Sequence, residues 1–219
     1  MKLLCESSLV VARPVSGSFT INTEQNLDDL LLTSCFYGDI VIEVPVKAAH
    51  LENLKMVFGS IYLQSSLLEE FSAKHLEYVT GSLIVGTQSK ALPHLKNVML
   101  PKLKEIRGHL QIENTDLISL DLERILGIGS LKIKNNLKLT SVSINNLERA
   151  KRFLILEDNP TLSTLALPQL RHVDEFIAIS NNPLLKNCSF LKETDGLIFK
   201  NEKIQFKQHP KVPPIPNCP

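Results

Sequence analysis

The chain has 219 residues, 21% of them charged, and a net charge of +1, which excludes a broad basic face for nucleic acid or an anionic membrane. Hydrophobic residues make up 43% but Trp is absent and aromatics reach only 5%, so Leu, Ile and Val must build the core. No apolar run approaches the ~20 residues of a membrane span.

In chain order, the first signals are Cys5 and a leader-like stretch, MKLLCESSLVVA, whose apolar run is broken by Glu6, Ser7 and Ser8; it reads as a poor signal peptide. A five-residue strand signature, Gly-x-apolar-x-apolar, then begins at Gly17 and recurs from Gly38, Gly59, Gly81, Gly108 and Gly129. Two further copies, from Arg152 and Glu175, lack the glycine. Successive starts lie 21 to 27 residues apart, and six of the nine glycines mark them. Between the first two copies, residues 22–35 place Leu27, Leu30 and Leu31 at helical spacing with acids in the early turns, which predicts a short capping helix ending at Cys35. The unit from Gly81 is longest, with about four extra residues near Thr87–His94.

Later units carry a second apolar rhythm: Leu95, Val98, Leu100, Leu103 and Ile106; Leu139, Val142, Ile144, Leu147 and Ala150; Leu162, Leu165, Leu167, Leu170 and Val173. A period of this length predicts stacked coils sharing one core, since a single coil cannot bury its own apolar face. The predicted fold is mainly β, a right-handed β-helix or leucine-rich-repeat-like solenoid of about eight coils. Alternate strand residues face inward, so Leu131 and Ile133 are core while Ser130 and Lys132 face out. The glycine is expected at the corner before each strand, where a positive φ or close backbone approach is needed. Six residues after each later start stand Asn114, Asn135, Asp158 and Asn181; the next positions hold Thr115, Asn136, Asn159 and Asn182. Stacked Asn residues suit tight turns and tolerate the left-handed region. Carboxylates are too few there for a calcium site. The chain closes on a proline-containing tail, residues 196–219, after a repeat region spanning 1–195.

The four cysteines, Cys5, Cys35, Cys188 and Cys218, form no CxxC pair, which speaks against zinc. One pair at each end suits two terminal disulfides, Cys5–Cys35 and Cys188–Cys218, in an oxidising compartment; four separate thiols in a cytosolic protein are the alternative. The sequon at Asn187 is a weak glycosylation signal, and no GPI-type hydrophobic tail is present. None of the six histidines joins an HExxH or G-x-S-x-G pattern, so no catalytic residues are assigned and no enzyme is expected. No metal site or cofactor is implied.

What remains is surface. The outward column of the aligned strands reads Thr20, Val41, Tyr62, Ile84, Gln111, Lys132, Ile155 and Ala178, and beside it run Ser60, Ser82, His109, Ser130, Phe153 and Phe176. From these, Val41, Tyr62, Ile84, Gln111, Lys132, Phe153, Ile155 and Phe176 are the candidate ligand-binding residues. Apolar patches rimmed by polar groups mark interfaces, although an unseen segment covering them is the plain alternative.

Cys5, the helix ending in Cys35, the strands GDIVI and GHLQI, the lead-in LKEIRG and the closing ISNNPLLKNC together resemble the receptor L-domain family, the leucine-rich β-solenoid modules of insulin-receptor and EGF-receptor ectodomains. The pattern is similar also to nematode secreted L-domain proteins and fungal GPI-anchored cell-wall proteins. The resemblance implies a noncatalytic extracellular or cell-surface module whose parallel sheet docks a protein or peptide ligand, or another domain of a longer receptor-like chain. A structural cell-surface or cell-wall protein without a discrete ligand is the alternative. Neither nucleic acid nor a membrane span in this chain is expected.

Overall fold

A computed structural model describes residues 18–21, 23, 30, 33–186 and 204–207. They form a parallel β-solenoid in which the chain runs up one face, turns, crosses the back, and returns along a short lead-in strand. The front face is a ladder of parallel strands in chain order: Ser18–Ile21, Asp39–Ile42, Ile61–Leu63, Leu83–Val85, Glu105–Glu113, Gly127–Lys134, Phe153–Glu157, Phe176–Ser180 and Ile204–Lys207. The pairing is in register with the repeat, so Val41 lies beside Tyr62, Tyr62 beside Ile84, and Ile84 beside Gln111.

Eight of these strands are the eight signatures read from the sequence. They span about seven turns, six of them with a described back strand; the crossing of the first turn lies mostly outside the described residues. The expected mainly β solenoid of about eight coils is thus present, its eight strand starts bounding about seven turns. The strand Ile204–Lys207 pairs with Phe176–Ser180 inside the segment read as tail. Most of the predicted helix at 22–35 lies outside the described residues. Leu30 is helical and buried and the Thr33 N–H bonds its carbonyl at 3.0 Å, but Thr33 and Ser34 are not helical and Cys35 begins the strand Cys35–Tyr37, so the helix stops short of Cys35.

The back is made of two three-stranded sheets, Ala48–His50, Glu70–Ser72 and Asn97–Met99, then Ser119–Asp121, Ser141–Ser143 and Thr164–Ala166. The break between the two sheets falls after Asn97–Met99, the back strand of the long coil. Front and back contribute stacked apolar columns. Ile40 and Ile42, Leu83 and Val85, Leu131 and Ile133, and Leu154 and Leu156 are all fully buried. Opposite them lie Phe71, Val142 and Leu165, the last 8% exposed. Each such side chain stabilises by ~1.5–3 kcal/mol on burial, which is why the unaided coil is not a unit.

Two backbone devices set the corners. Asn114, Asn135, Asp158 and Asn181 hold φ between 54° and 56°, the left-handed geometry expected of that column. Among the repeat glycines Gly38 takes φ 129°, whereas Gly59, Gly81, Gly108 and Gly129 work by close approach: a Cβ on Gly108 would sit 2.7 Å from the Gly81 carbonyl oxygen. Thus a side chain there would push the neighbouring coil away.

Behind each left-handed corner runs a buried amide ladder. Asn136 donates through Nδ2 to Asn159 Oδ1 at 3.1 Å, and Asn159 to Asn182 Oδ1 at 3.0 Å. Each Oδ1 also accepts the backbone N–H of the preceding rung: Asn159 Oδ1 accepts the Asn136 N–H and Asn182 Oδ1 the Asn159 N–H, both at 3.1 Å. Thr115 begins the ladder by donating its hydroxyl to Asn136 Oδ1 at 2.8 Å. These Asn residues are structural turn residues, with their polar atoms engaged by the chain itself.

Candidate functional site

The outward column lies where the register placed it. Val41, Tyr62, Ile84, Gln111, Lys132, Ile155 and Ala178 are half-buried and Thr20 is exposed, along the front face. Half-burial comes from packing of each side chain against its neighbours one coil above and below, so Tyr62 is less free than an outward position implies.

The adjoining column differs from expectation. Ser60 and Ser82 cap backbone: the Ser82 N–H bonds Ser60 Oγ at 3.0 Å, and the His109 N–H bonds Ser82 Oγ at 2.9 Å. Asp39 starts the relay by accepting the Ser60 N–H at 2.7 Å. The glycine corner shifts the strand so that this amide meets a side-chain oxygen. Ser130, expected outward, is fully buried, and its Oγ has no hydrogen-bond partner. The reason lies two coils apart: the His109 and Phe153 rings stack at 5.6 Å between centroids, closing over the small serine between them. Phe153 stacks in turn on Phe176 at 5.4 Å. Arg152 lies 6.0 Å from the Phe153 ring centre and pairs with Glu175 at 3.2 Å. The result is a continuous ring stack, His109–Phe153–Phe176, beside Ile155 and Ala178. Burial, then the Arg152 and Lys132 charges, push the His109 imidazole below its usual range, which favours the neutral ring in the stack.

Next to the apolar strip the front face becomes polar. Lys132 Nζ bonds Glu113 Oε2 at 2.8 Å, and Gln111 Nε2 reaches the same oxygen at 3.1 Å. Glu113 is 4% exposed. Lys134 pairs with Glu157 at 3.0 Å, and this bond holds the Lys134 ammonium above its ordinary range.

The long coil supplies a wall here. Gly86 turns the chain at φ 70°, against the Glu113 carbonyl, and the Thr87 N–H closes a turn onto Lys90 O at 2.9 Å. Asn114 Nδ2 anchors that turn through Thr87 O at 3.0 Å. Thr87, Gln88, Ser89, Gln111, Glu113 and Lys132 enclose an open notch of about 420 Å³. The sequence showed the insertion but not that it folds beside Gln111 and Lys132.

Cys35 is buried and disulfide-bonded. Cys5, Cys188, Cys218 and Asn187 lie outside the described residues, and so do the pairings expected of them. Among the described residues no group of three or more His, Cys, Asp or Glu side chains is placed to hold a metal ion. Within the same residues no helix is long and apolar enough to cross a membrane.

A leucine-rich parallel β-solenoid with αL asparagine corners and one outward sheet defines the class of protein. The family model for the receptor L domain matches residues 77–195, more than half of the chain, and the chain belongs to that family. It is 27% identical over 171 residues to a cell surface GPI-anchored protein of Arthroderma benhamiae. That alignment covers 69% of this chain and 44% of the relative, so the chain spans less than half the length of the curated relative it matches. No solved structure matches.

Proposed function

We propose that the chain is a noncatalytic extracellular or cell-surface binding module that docks a protein or peptide on its front sheet. The observation that carries this reading is the preorganised apolar surface of that face: Val41, Tyr62 and Ile84 in register, and the ring stack with Ile155 beyond the polar break. Rigid aromatic and aliphatic surface supplies contact area at low entropic cost, the property of interface hot spots. Membership of the receptor L domain family and similarity to a protein named for the cell surface support the compartment. Residues 1–195 form the binding unit on this reading, with Cys5–Cys35 and Cys188–Cys218 pinning its two ends.

The test is a binding assay against native extracellular protein, run beside thermal melts. Tyr62→Ala and Phe153→Ala should each weaken capture by roughly 2 kcal/mol. Asp121→Ala, exposed on the opposite sheet, should leave it unchanged. Equal capture by all variants would move the site off this face. The similarity to a GPI-anchored surface protein favours a second reading, a structural role in a cell-surface layer; retention in an insoluble matrix without saturable binding would support it over the first.

A further inference from the structure

The notch beside Gln111 is a second feature of the front face, set in the polar break between the two apolar clusters and bordered by Ile84 and Ile155. Its chemistry is polar and its net charge is zero, because the Lys132 ammonium and the Glu113 carboxylate cancel at 2.8 Å. Both described bonds to that carboxylate land on Oε2. Oε1 receives no hydrogen bond from the described residues, in a side chain only 5% exposed that lines the notch. Gln111 spends its Nε2 on Glu113 Oε2 and on Gly86 O at 3.4 Å, which fixes its amide and leaves its carbonyl oxygen as an acceptor. Lys132 keeps donors beyond the one given to Glu113. On the facing wall stand the Thr87 and Ser89 hydroxyls, 3.3 Å from each other, and the Gln88 amide.

Fixed acceptors therefore alternate with donors across a cavity of small-molecule size. A ligand that complements this set must donate and accept at neighbouring atoms and carry no net charge. A phosphate or a basic side chain would break the charge balance that Glu113 and Lys132 establish. A peptide backbone has no free strand edge to pair with here, since the strands carrying Ile84, Gln111 and Lys132 are bonded on both sides. Vicinal hydroxyls fit on all counts. Ile84 and Ile155 flank Gln111 and Lys132 in the same column and suit the C–H face of a sugar ring.

We propose that the notch formed by Thr87, Gln88, Ser89, Gln111, Glu113 and Lys132 is a saccharide subsite that takes one neutral sugar residue through its vicinal hydroxyls. It does not depend on protein docking at the apolar strip. Glu113 and Gln111 accept from the sugar hydroxyls, Lys132 donates, and the Thr87–Ser89 turn closes the outer side.

The experiment titrates the full chain with neutral oligosaccharides of glucose, mannose and N-acetylglucosamine, following amide shifts by NMR, with dextran sulfate and inorganic phosphate as charged comparisons. A glycoprotein with neutral glycans, before and after enzymatic deglycosylation, distinguishes a glycan on a protein from a free polysaccharide. At least one neutral saccharide should saturate, with shifts centred on Gln111 and Lys132. Glu113→Gln should weaken it at least tenfold. Ser89→Trp, exposed on the turn and clear of the core, should also weaken it tenfold with an unchanged melting temperature. Tyr62→Ala should leave it intact, which separates this site from the protein-docking reading. No saturation by any neutral saccharide, preference for the anionic probes, or full affinity in Ser89→Trp would overturn the proposal.

Discussion

Replacing Asn159 by Ala tests whether the amide ladder holds the coils together. The residue is fully buried, and its side chain serves three successive coils. Its Oδ1 is the acceptor for the Asn136 N–H, and its Nδ2 reaches Ile133 O at 3.1 Å, Glu157 O at 3.0 Å and Asn182 Oδ1 at 3.0 Å. With Ala, the Asn136 N–H loses its acceptor in a site water does not reach, at a cost of about 1–3 kcal/mol. The two Nδ2 hydrogens take roughly another 1 kcal/mol each with them. The expected loss is therefore about 3–5 kcal/mol, a large share of the stability of a domain of this size. Urea denaturation followed by circular dichroism measures it, with the slope checked for constancy between variants. Asn146→Ala removes an exposed amide that bonds Glu123 O, and should change stability by less than about 0.5 kcal/mol. A loss under about 1 kcal/mol for Asn159→Ala would show that water or local rearrangement replaces the ladder, and the argument would fail.

Other outcomes follow from single contacts. Gly108→Ala should destabilise the central coils, because its methyl group meets the Gly81 carbonyl oxygen at 2.7 Å; an unchanged melting temperature would mean that the corner relaxes freely. Leu165→Ala should cost ~2–5 kcal/mol as a buried leucine, read from the same urea curves. For His109 the folded pKa lies below the unfolded value of about 6.5, so its neutral ring contributes stability that is present above that pH. The contribution is lost as pH falls through the unfolded and then the folded value, and His109→Phe should flatten the decline in melting temperature on acidification. Peptide mapping without reduction should find Cys35 joined to Cys5; a Cys35–Cys188 link would contradict the coil order.

Much of the fold was written in the spacing. The recurrence from Gly17 to Glu175 set the strands, and Asn114, Asn135, Asp158 and Asn181 sit in the left-handed region because a repeated Asn or Asp at one phase has few other physical uses. What escaped were effects that depend on how side chains of different coils meet. Ser130 has the alternation of an outward residue, and only the leaning together of His109 and Phe153, two coils apart, buries it. The capping roles of Asp39, Ser60 and Ser82 follow from how the glycine corner displaces an amide, which alternation does not encode. The candidate strip was legible as a column, but the notch was not, since an insertion in sequence carries no sign of the direction in which it folds.

The amide ladder also gives the solenoid a direction in time. Asn136 Oδ1 serves the rung before it, but the Asn136 N–H is satisfied only by Asn159, and the Asn159 N–H only by Asn182. Each rung is thus completed by the coil that follows it in the chain. On a ribosome, which releases the chain from its N-terminus, the leading coil carries an unmet buried donor until about one more repeat has emerged. Inserting a whole repeat between two rungs preserves this handover, whereas removing part of one breaks it at the junction where the phase is lost.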